Sequence, residues 1–124
     1  SHQMVLDLAK HASVPVINML TDYNHPCQLM SDVLTIKEKL GRIDNLRIAY
    51  LGDSNNMTVS WLNLAGRIPL DLRIGTSPET MPDMKHVNEI KELGNHLTNN
   101  NPLYLLLYYR HHSEISSVSR SGVP

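Results

Sequence analysis

A chain of 124 residues of which 41% are hydrophobic fits one compact domain with an apolar core, so disorder throughout the chain is excluded. Its 11 basic and 12 acidic side chains give a net charge of −1, whereas proteins that bind nucleic acid or anionic membranes usually carry a positive excess, so neither partner is expected. The single cysteine, Cys27, excludes an intramolecular disulfide, and the absence of a signal-like N-terminus and of an apolar run of bilayer length predicts a soluble, cytoplasmic protein.

The first forty residues predict a helix, a strand and a second helix. Apolar side chains at helical spacing within residues 1–12 are typical of the end of a helix. The β-branched run 14–18, closed by polar residues, indicates a short strand. Pro26 is a favoured first residue of a helix, and Gly41 is a favoured stop. Between them, apolar residues recur every three or four positions and predict one helical face, made of Leu29, Val33, Ile36 and Leu40.

Two further strands alternate with two further helices. Residues 46–51 and 71–75 indicate strands, residues 55–67 have helical spacing, and a last helical pattern after Pro82 and Asp83 is expected to stop at Gly94. This order predicts βαβ units, and therefore an α/β fold with a parallel sheet and flanking helices.

The end of the sequence does not follow this alternation. A turn at 99–102 precedes the apolar and aromatic run 103–109, which we expect to lie outside the βαβ scheme. Residues 110–124 are polar, serine-rich and without period, which predicts disorder.

A first polar cluster surrounds the start of the helix at Pro26. His25 and Gln28 add side-chain donors beside the free backbone N–H groups and the positive dipole end of that helix. Such an arrangement suits the polarisation of a carbonyl group or the binding of an anion. The alternative is that both side chains only cap the helix, which is common at helix ends.

A second polar cluster, Gly52-Asp53-Ser54-Asn55-Asn56, follows the strand 46–51. One interpretation is an ordinary strand-to-helix turn, since Gly, Asp, Ser and Asn are the usual turn residues. The cluster lacks the Gly-x-Gly-x-x-Gly spacing of a dinucleotide site, and it is not a P-loop. Ligands of parallel sheets gather beyond the carboxyl ends of the strands, which makes this turn a candidate binding site.

Both clusters belong to a longer set of residues that match one family in register: Val14–Asn18, Leu20–Asp22, His25–Gln28, Asp32, Leu34–Ile36, Glu38, Ile48–Asp53, Asn55–Asn56 and Ser60. Over roughly residues 5–83 the sequence resembles ornithine carbamoyltransferases. Aspartate carbamoyltransferases have a similar His-Pro-x-Gln helix, but they resemble this chain less at the second cluster, where the Asn55-Asn56 pair is typical of the ornithine branch.

The resemblance implies a Rossmann-like segment of an enzyme that transfers the carbamoyl group of carbamoyl phosphate to ornithine, giving citrulline, without a metal or an organic cofactor. By the same resemblance, His25 and Gln28 contact the carbamoyl group and stabilise the charge that grows on its oxygen. Asn56 binds the amino-acid end of ornithine, and Asp53 helps to shape that pocket. The family commonly forms trimers, so a homo-oligomer is an expectation here.

The sequence also departs from the family pattern. The family's phosphate-binding Ser-x-Arg-Thr loop would lie upstream and its Ser-Met-Gly and His-Cys-Leu-Pro segments downstream, and none is present; Ser54 stands where a glycine is usual. We therefore expect an incomplete, internal segment without full activity alone. Residues 1–44 would end the carbamoyl phosphate-binding domain and include its connecting helix, 45–101 would form part of the ornithine-binding domain, and 102–124 would be an atypical tail.

Two other interpretations stay open. The chain is a non-catalytic remnant or interaction module of the same fold, or it is a carbamoyltransferase for another amine such as putrescine. The Ser-Met-Gly region would distinguish the two amines.

Overall fold

The computed structural model of the chain describes residues 1–97 and 103–107. Helices and strands alternate after residue 45, as the sequence predicts. In chain order the elements are α1 (His2–His11), α2 (Pro26–Leu40), β1 (Leu46–Leu51), α3 (Asn56–Ala65), β2 (Leu70–Thr76), a 3₁₀ turn (Pro78–Thr80), α4 (Met84–Leu97) and β3 (Leu103–Leu107).

The three strands form one parallel sheet in the order β1-β2-β3. Leu46 of β1 lies opposite Leu70 of β2, and Leu72 of β2 lies opposite Leu103 of β3. Parallel neighbours need a crossover connection, and α3 and α4 supply the two crossovers. The predicted α/β fold with a parallel sheet and flanking helices is confirmed.

The core lies on one face of this sheet. Along β2, Leu70, Leu72 and Ile74 are buried, while Arg73 between them is exposed and forms an ion pair with Asp71 (2.8 Å). The side chains of a strand alternate between its two faces, so one face of β2 is apolar and the other is charged. The remaining buried apolar residues pack with the apolar face, and they come from α2, β1, α3 and α4: Leu29, Leu46, Trp61, Leu62, Leu64, Ala65, Val87 and Ile90.

Helix α2 begins and ends where the sequence predicts. Pro26 is its first residue, and Gly41 closes it in the left-handed region with φ of 74°, a conformation that costs residues with a Cβ atom more than it costs glycine. Of the predicted apolar face, Leu29 is buried and Val33 and Ile36 pack against the core. The prediction for the fourth member, Leu40, is wrong, because this residue is 62% exposed.

Three other expectations are corrected. The run 14–18 is not one of the three strands of the sheet, and Val14 and Ile17 are 67% and 77% exposed. Extended β-branched residues become a strand only where a neighbouring chain takes their backbone hydrogen bonds. Helix α4 passes through Gly94 and reaches Leu97, because a glycine costs a helix only about 1 kcal/mol relative to alanine.

The third correction concerns the apolar run that begins at residue 103. Residues 103–107 form β3 and pair with β2 in parallel, so this part of the run continues the βαβ scheme instead of lying outside it. A continuous apolar run without polar alternation is typical of a strand in a parallel sheet. The predictions for residues 98–102 and 108–124, including the disorder expected from residue 110 onward, lie outside the described residues.

Candidate functional site

The first polar cluster is fixed at the start of α2. His25 is the N-cap of α2, and its Nδ1 accepts a hydrogen bond from the backbone N–H of Gln28 (3.4 Å). In the neutral imidazole, a Nδ1 that accepts leaves the ring proton on Nε2. The predicted helix cap is therefore present, and it is compatible with the predicted chemistry, since it prepares Nε2–H as a donor toward a carbonyl oxygen.

Gln28 is exposed on the first turn of α2. Its side-chain Nε2 donates to Oδ1 of Asp32, one turn later, at 2.9 Å. An amide nitrogen carries two donor hydrogens, so this bond orients the amide and leaves one N–H for a further acceptor. A donor aimed at developing charge contributes most when it is already in place, so this orientation is compatible with the role predicted for Gln28.

The second cluster forms the turn between β1 and α3. Gly52 has φ of 143°, and its N–H donates to the carbonyl of Gly75 (3.0 Å) at the end of β2. Asp53 is exposed, and its Oδ1 accepts a hydrogen bond from the hydroxyl of Thr80 (3.2 Å). The N–H of Ser54 donates to the carbonyl of the same Thr80 (3.1 Å). The end of β2 and the 3₁₀ turn that follows it therefore hold the turn that carries Asp53.

Asn55 and Asn56 have different tasks in this turn. Asn55 is the N-cap of α3, where its side chain accepts from the N–H groups of Met57 and Thr58, and the Thr58 hydroxyl accepts from the Asn55 N–H in return. Asn56 begins the helix, and its side-chain Nδ2 donates to the backbone carbonyl of Thr21 at 3.0 Å. Asn55 therefore stabilises the helix, whereas Asn56 reaches across to the loop that leads into the first cluster.

A second contact joins the two clusters. The backbone N–H of His25 donates to the hydroxyl of Ser60 at 2.8 Å, and that hydroxyl donates to the backbone carbonyl of Asn56 at 2.7 Å. Sequence reasoning assigned no role to Thr21 or Ser60, although both lie among the residues that match the family. The loop 21–25, which leads into α2, and the first two turns of α3 are thus held together by two hydrogen bonds that each span 35 residues of sequence.

The described side chains form a cleft that the four predicted site residues do not line. That cleft has a volume of about 240 Å³, and none of His25, Gln28, Asp53 or Asn56 is among its lining residues. His86 lies in its wall, and the buried Nε2 of His86 has no hydrogen-bond partner. The other lining residues are Tyr23, Val59, Leu62, Pro82, Asp83, Lys85 and Glu89.

Within residues 1–97 and 103–107, no three His, Cys, Asp or Glu side chains come together in a way that would hold a metal ion. Nor does any helix in these ranges combine the length and the apolar character needed to cross a membrane.

Comparison with known proteins identifies relatives of this segment. Residues 1–38 match the family "Aspartate/ornithine carbamoyltransferase, carbamoyl-P binding domain". The chain is 49% identical over 94 residues to the chloroplastic ornithine carbamoyltransferase of Pisum sativum, covering 76% of this chain and 25% of the relative. It is 42% identical over 97 residues to the ornithine carbamoyltransferase of Methanocorpusculum labreanum, covering 78% of this chain and 32% of the relative.

Solved structures agree with the sequence comparison. The ornithine carbamoyltransferase of Pyrococcus furiosus superposes with a TM-score of 0.77 at 36% identity, covering 86% of this chain and 33% of that one. The enzyme from Gloeobacter violaceus gives a TM-score of 0.78 at 32% identity, covering 86% of this chain and 37% of that one. The chain thus spans about a quarter to a third of the length of the curated relatives that it matches.

Proposed function

Since the chain belongs to the aspartate/ornithine carbamoyltransferase family, we propose that it supplies part of the site for carbamoyl transfer from carbamoyl phosphate to ornithine, giving citrulline. In this proposal, His25 and Gln28 contact the carbamoyl group, and Asn56 and Asp53 contact the amino acid. Residues 1–44 end a carbamoyl phosphate-binding domain, residues 45–101 open an ornithine-binding domain, and residues 102–124 form its atypical tail. A homo-oligomer and a cytoplasmic location stay predictions, as does the expectation that no cofactor is needed.

The observation that carries the proposal is the pair of hydrogen bonds between the loop 21–25, which leads into α2, and the first two turns of α3. The Asn56 side chain bonds to Thr21, and the His25 N–H bonds to Ser60. Carbamoyl transfer needs an electrophile and an amine held next to each other, and this positioning lowers the barrier strongly. A carbamoyl-contacting helix start fixed against an amino-acid-contacting helix start would meet that requirement.

The proposed chemistry at the first cluster is stabilisation of negative charge. When the neutral amine attacks the carbamoyl carbon, a C–N bond forms, the C=O bond opens and its oxygen becomes an oxyanion in a tetrahedral intermediate. The C=O bond then re-forms as the C–O bond to phosphate breaks, so phosphate leaves and the new nitrogen loses its proton. The His25 Nε2–H, which the cap at Gln28 N favours, and the remaining N–H of the Gln28 amide are the proposed donors to that oxygen. Losing one such donor typically costs a factor of about 10² to 10³ in rate.

The proposed chemistry at the second cluster is recognition of the amino acid. Because Nδ2 of Asn56 donates a hydrogen bond to the Thr21 carbonyl, Oδ1 of the same side chain remains as an acceptor for an ammonium group. Asp53 adds a carboxylate oriented by Thr80. Both groups favour a cationic end of the substrate, and neither distinguishes ornithine from a diamine such as putrescine.

A binding titration tests the proposal on the 124-residue polypeptide. Ornithine and carbamoyl phosphate are added separately, and ¹H–¹⁵N spectra record which amides shift. We expect ornithine to perturb residues 53–56 and carbamoyl phosphate to perturb residues 25–28. Asn56→Ala should remove the ornithine response. Asn63→Ala, which truncates another asparagine of α3, is the matched control and should keep the ornithine response.

Two outcomes would redirect the proposal. If neither substrate shifts any amide at millimolar concentration, the non-catalytic remnant or interaction module becomes the better interpretation. If putrescine produces the ornithine pattern at lower concentration, the acceptor is a diamine. A citrulline assay on the same polypeptide should show no turnover, because it has no Ser-x-Arg-Thr segment to hold the phosphate. Turnover that His25→Ala abolishes would contradict this expectation.

A further inference from the structure

The Ser60 side chain forms hydrogen bonds to both polar clusters. It lies in the second turn of α3 and is only 2% exposed. Its hydroxyl accepts from the His25 N–H (2.8 Å) and donates to the Asn56 carbonyl (2.7 Å). A hydroxyl has one hydrogen to donate. The Ser60 hydroxyl donates it to the Asn56 carbonyl, and the Ser60 oxygen accepts from the His25 N–H.

The loop on the other side of this bond is closed on itself. Thr21 is 6% exposed, and its N–H donates to the carbonyl of Asn24 (2.9 Å), while the Asn24 N–H donates to the Thr21 hydroxyl (3.2 Å). The Asn56 side chain then bonds to the Thr21 carbonyl (3.0 Å). The hydrogen bonds and the chain between these residues form a ring that joins Thr21, Asn24, His25, Ser60 and Asn56.

We propose that Ser60 is a positioning residue that couples the placement of His25 to the placement of the Asn56 side chain. The assignment of ligands to those two residues rests on the function proposed above, whereas the coupling itself rests on the ring of hydrogen bonds. Ser60 is assigned no contact with either substrate. It acts by holding the N-cap residue of α2 on the first turns of α3.

The energetic reason is the cost of a buried donor without a partner. Removing the buried Ser60 hydroxyl leaves the part-buried His25 N–H without its acceptor, and an unsatisfied donor costs more than the net value of the bond it has lost. The loop 21–25 would then move to find another acceptor. That movement carries the Thr21 carbonyl away from the Asn56 side chain, although Ser60 makes no bond to that side chain.

Hydrogen exchange on the full 124-residue chain tests the coupling without any ligand. In Ser60→Ala, we expect exchange about tenfold faster both at the His25 amide and at the Asn56 side-chain NH₂, corresponding to the loss of one net hydrogen bond. Ser31→Ala is the matched control. The Ser31 hydroxyl makes the same kind of bond to the carbonyl four residues earlier (3.1 Å), but on the exposed face of α2, so neither group should change.

Two further variants keep the test decisive if Ser60→Ala does not fold. Asn56→Ala leaves Ser60 in place and should accelerate exchange at the His25 amide, because a coupling between two sites acts in both directions. Ser60→Thr retains a hydroxyl and should restore slow exchange at the Asn56 side chain. Faster exchange at His25 alone, with the Asn56 side chain unchanged, would show a local bond without coupling and would overturn the proposal.

A binding measurement separates positioning from mere stability. Ser60→Ala should weaken carbamoyl phosphate and ornithine binding together, each about tenfold, while Ser31→Ala weakens neither. A lower stability with both affinities unchanged would overturn the positioning role. If the unmodified chain binds neither substrate, the proposed function fails, and the exchange measurement alone decides whether Ser60 couples the two side chains.

Discussion

The N-terminal region (residues 1–44) and the sheet region (residues 45–94) differ in the burial of their apolar side chains. Among the side chains that the structure describes, ten of the 11 buried apolar residues lie in the sheet region, and only Leu29 lies in the N-terminal region. Eleven of the 15 exposed large hydrophobic residues lie in the N-terminal region. The sheet region is therefore a packed unit, whereas the N-terminal region is attached to it.

The attachment has an apolar part and a polar part. The apolar part is one face of α2, where Leu29, Val33 and Ile36 meet the core. The polar part is the pair of hydrogen bonds that the Asn56 side chain donates to the Thr21 carbonyl and the His25 N–H donates to the Ser60 hydroxyl. Segments with few buried apolar contacts open at lower free energy than a core strand. The proposed catalytic residues thus lie where a stable unit meets a less stable one, and their alignment depends on a few hydrogen bonds.

The largest expected difference between the regions is in the cost of truncating a leucine. Leu72 is fully buried in β2, and Leu72→Ala should lower the free energy of unfolding by about 2–5 kcal/mol, from lost burial and the cavity left behind. Leu8 in α1 is 58% exposed, and Leu8→Ala should change it by less than about 0.5 kcal/mol. Urea denaturation followed by circular dichroism measures both. Equal costs would mean that the N-terminal region buries its leucines in solution.

The same contrast explains how much of the fold the sequence predicts. Helix α2 is predicted in full because Pro26, Gly41 and the apolar spacing between them are local signals. Strands β1 and β2 are predicted because each is a short segment with apolar residues at alternate positions, bounded by turns. The run 14–18 carries a similar local signal but pairs with no strand among residues 1–97 and 103–107. Strand pairing depends on the whole fold, so local composition alone does not predict it.

The candidate site is divided in the same way. The sequence indicates His25 as a cap and the turn 52–56 as a strand end, and both positions follow from local rules. The bonds from Asn56 to Thr21 and from Ser60 to His25 each span 35 residues, and no periodicity encodes them. Ser60 is in the matching set of residues, but a serine inside a helix has no local feature that distinguishes a bridging hydroxyl from an ordinary one.

A smaller difference is expected between the helix caps of the two regions. Asn55 caps α3 with two accepted bonds and a reciprocal bond from its own N–H to Thr58, whereas Ser1 caps α1 with one bond of 3.4 Å to the Met4 N–H. Asn55→Ala should cost about 1 kcal/mol of global stability. Ser1→Ala should leave global stability unchanged, because α1 has no buried residue, and should only increase fraying of α1 in hydrogen exchange. A global loss in Ser1→Ala would contradict the independence of the two regions.

The smallest effect concerns acid and the turn that holds Asp53. Glu79 lies in the 3₁₀ turn Pro78–Thr80, and its pKa is lowered because the carboxylate accepts from its own backbone N–H and from the Ser77 hydroxyl. A group whose pKa is lower when folded stabilises the fold above its unfolded pKa, and this contribution is lost as the pH falls through the folded pKa. The turn should therefore loosen in acid, and only slightly, because Glu79 is fully exposed and solvent screens its interactions.

The measurement is an NMR titration of the Ser54 amide, which donates to the carbonyl of Thr80 next to Glu79. Its shift should change as Glu79 is protonated, and Glu79→Gln should remove that step. Glu92→Gln, at an exposed position of α4, is the control and should leave the step in place. The His25 amide should not follow the Glu79 titration, because its partner is Ser60 in α3 and not the 3₁₀ turn. A matching step at His25 would show that the 3₁₀ turn and the N-terminal region move together. The N-terminal region and the sheet region would then not be independent in this respect.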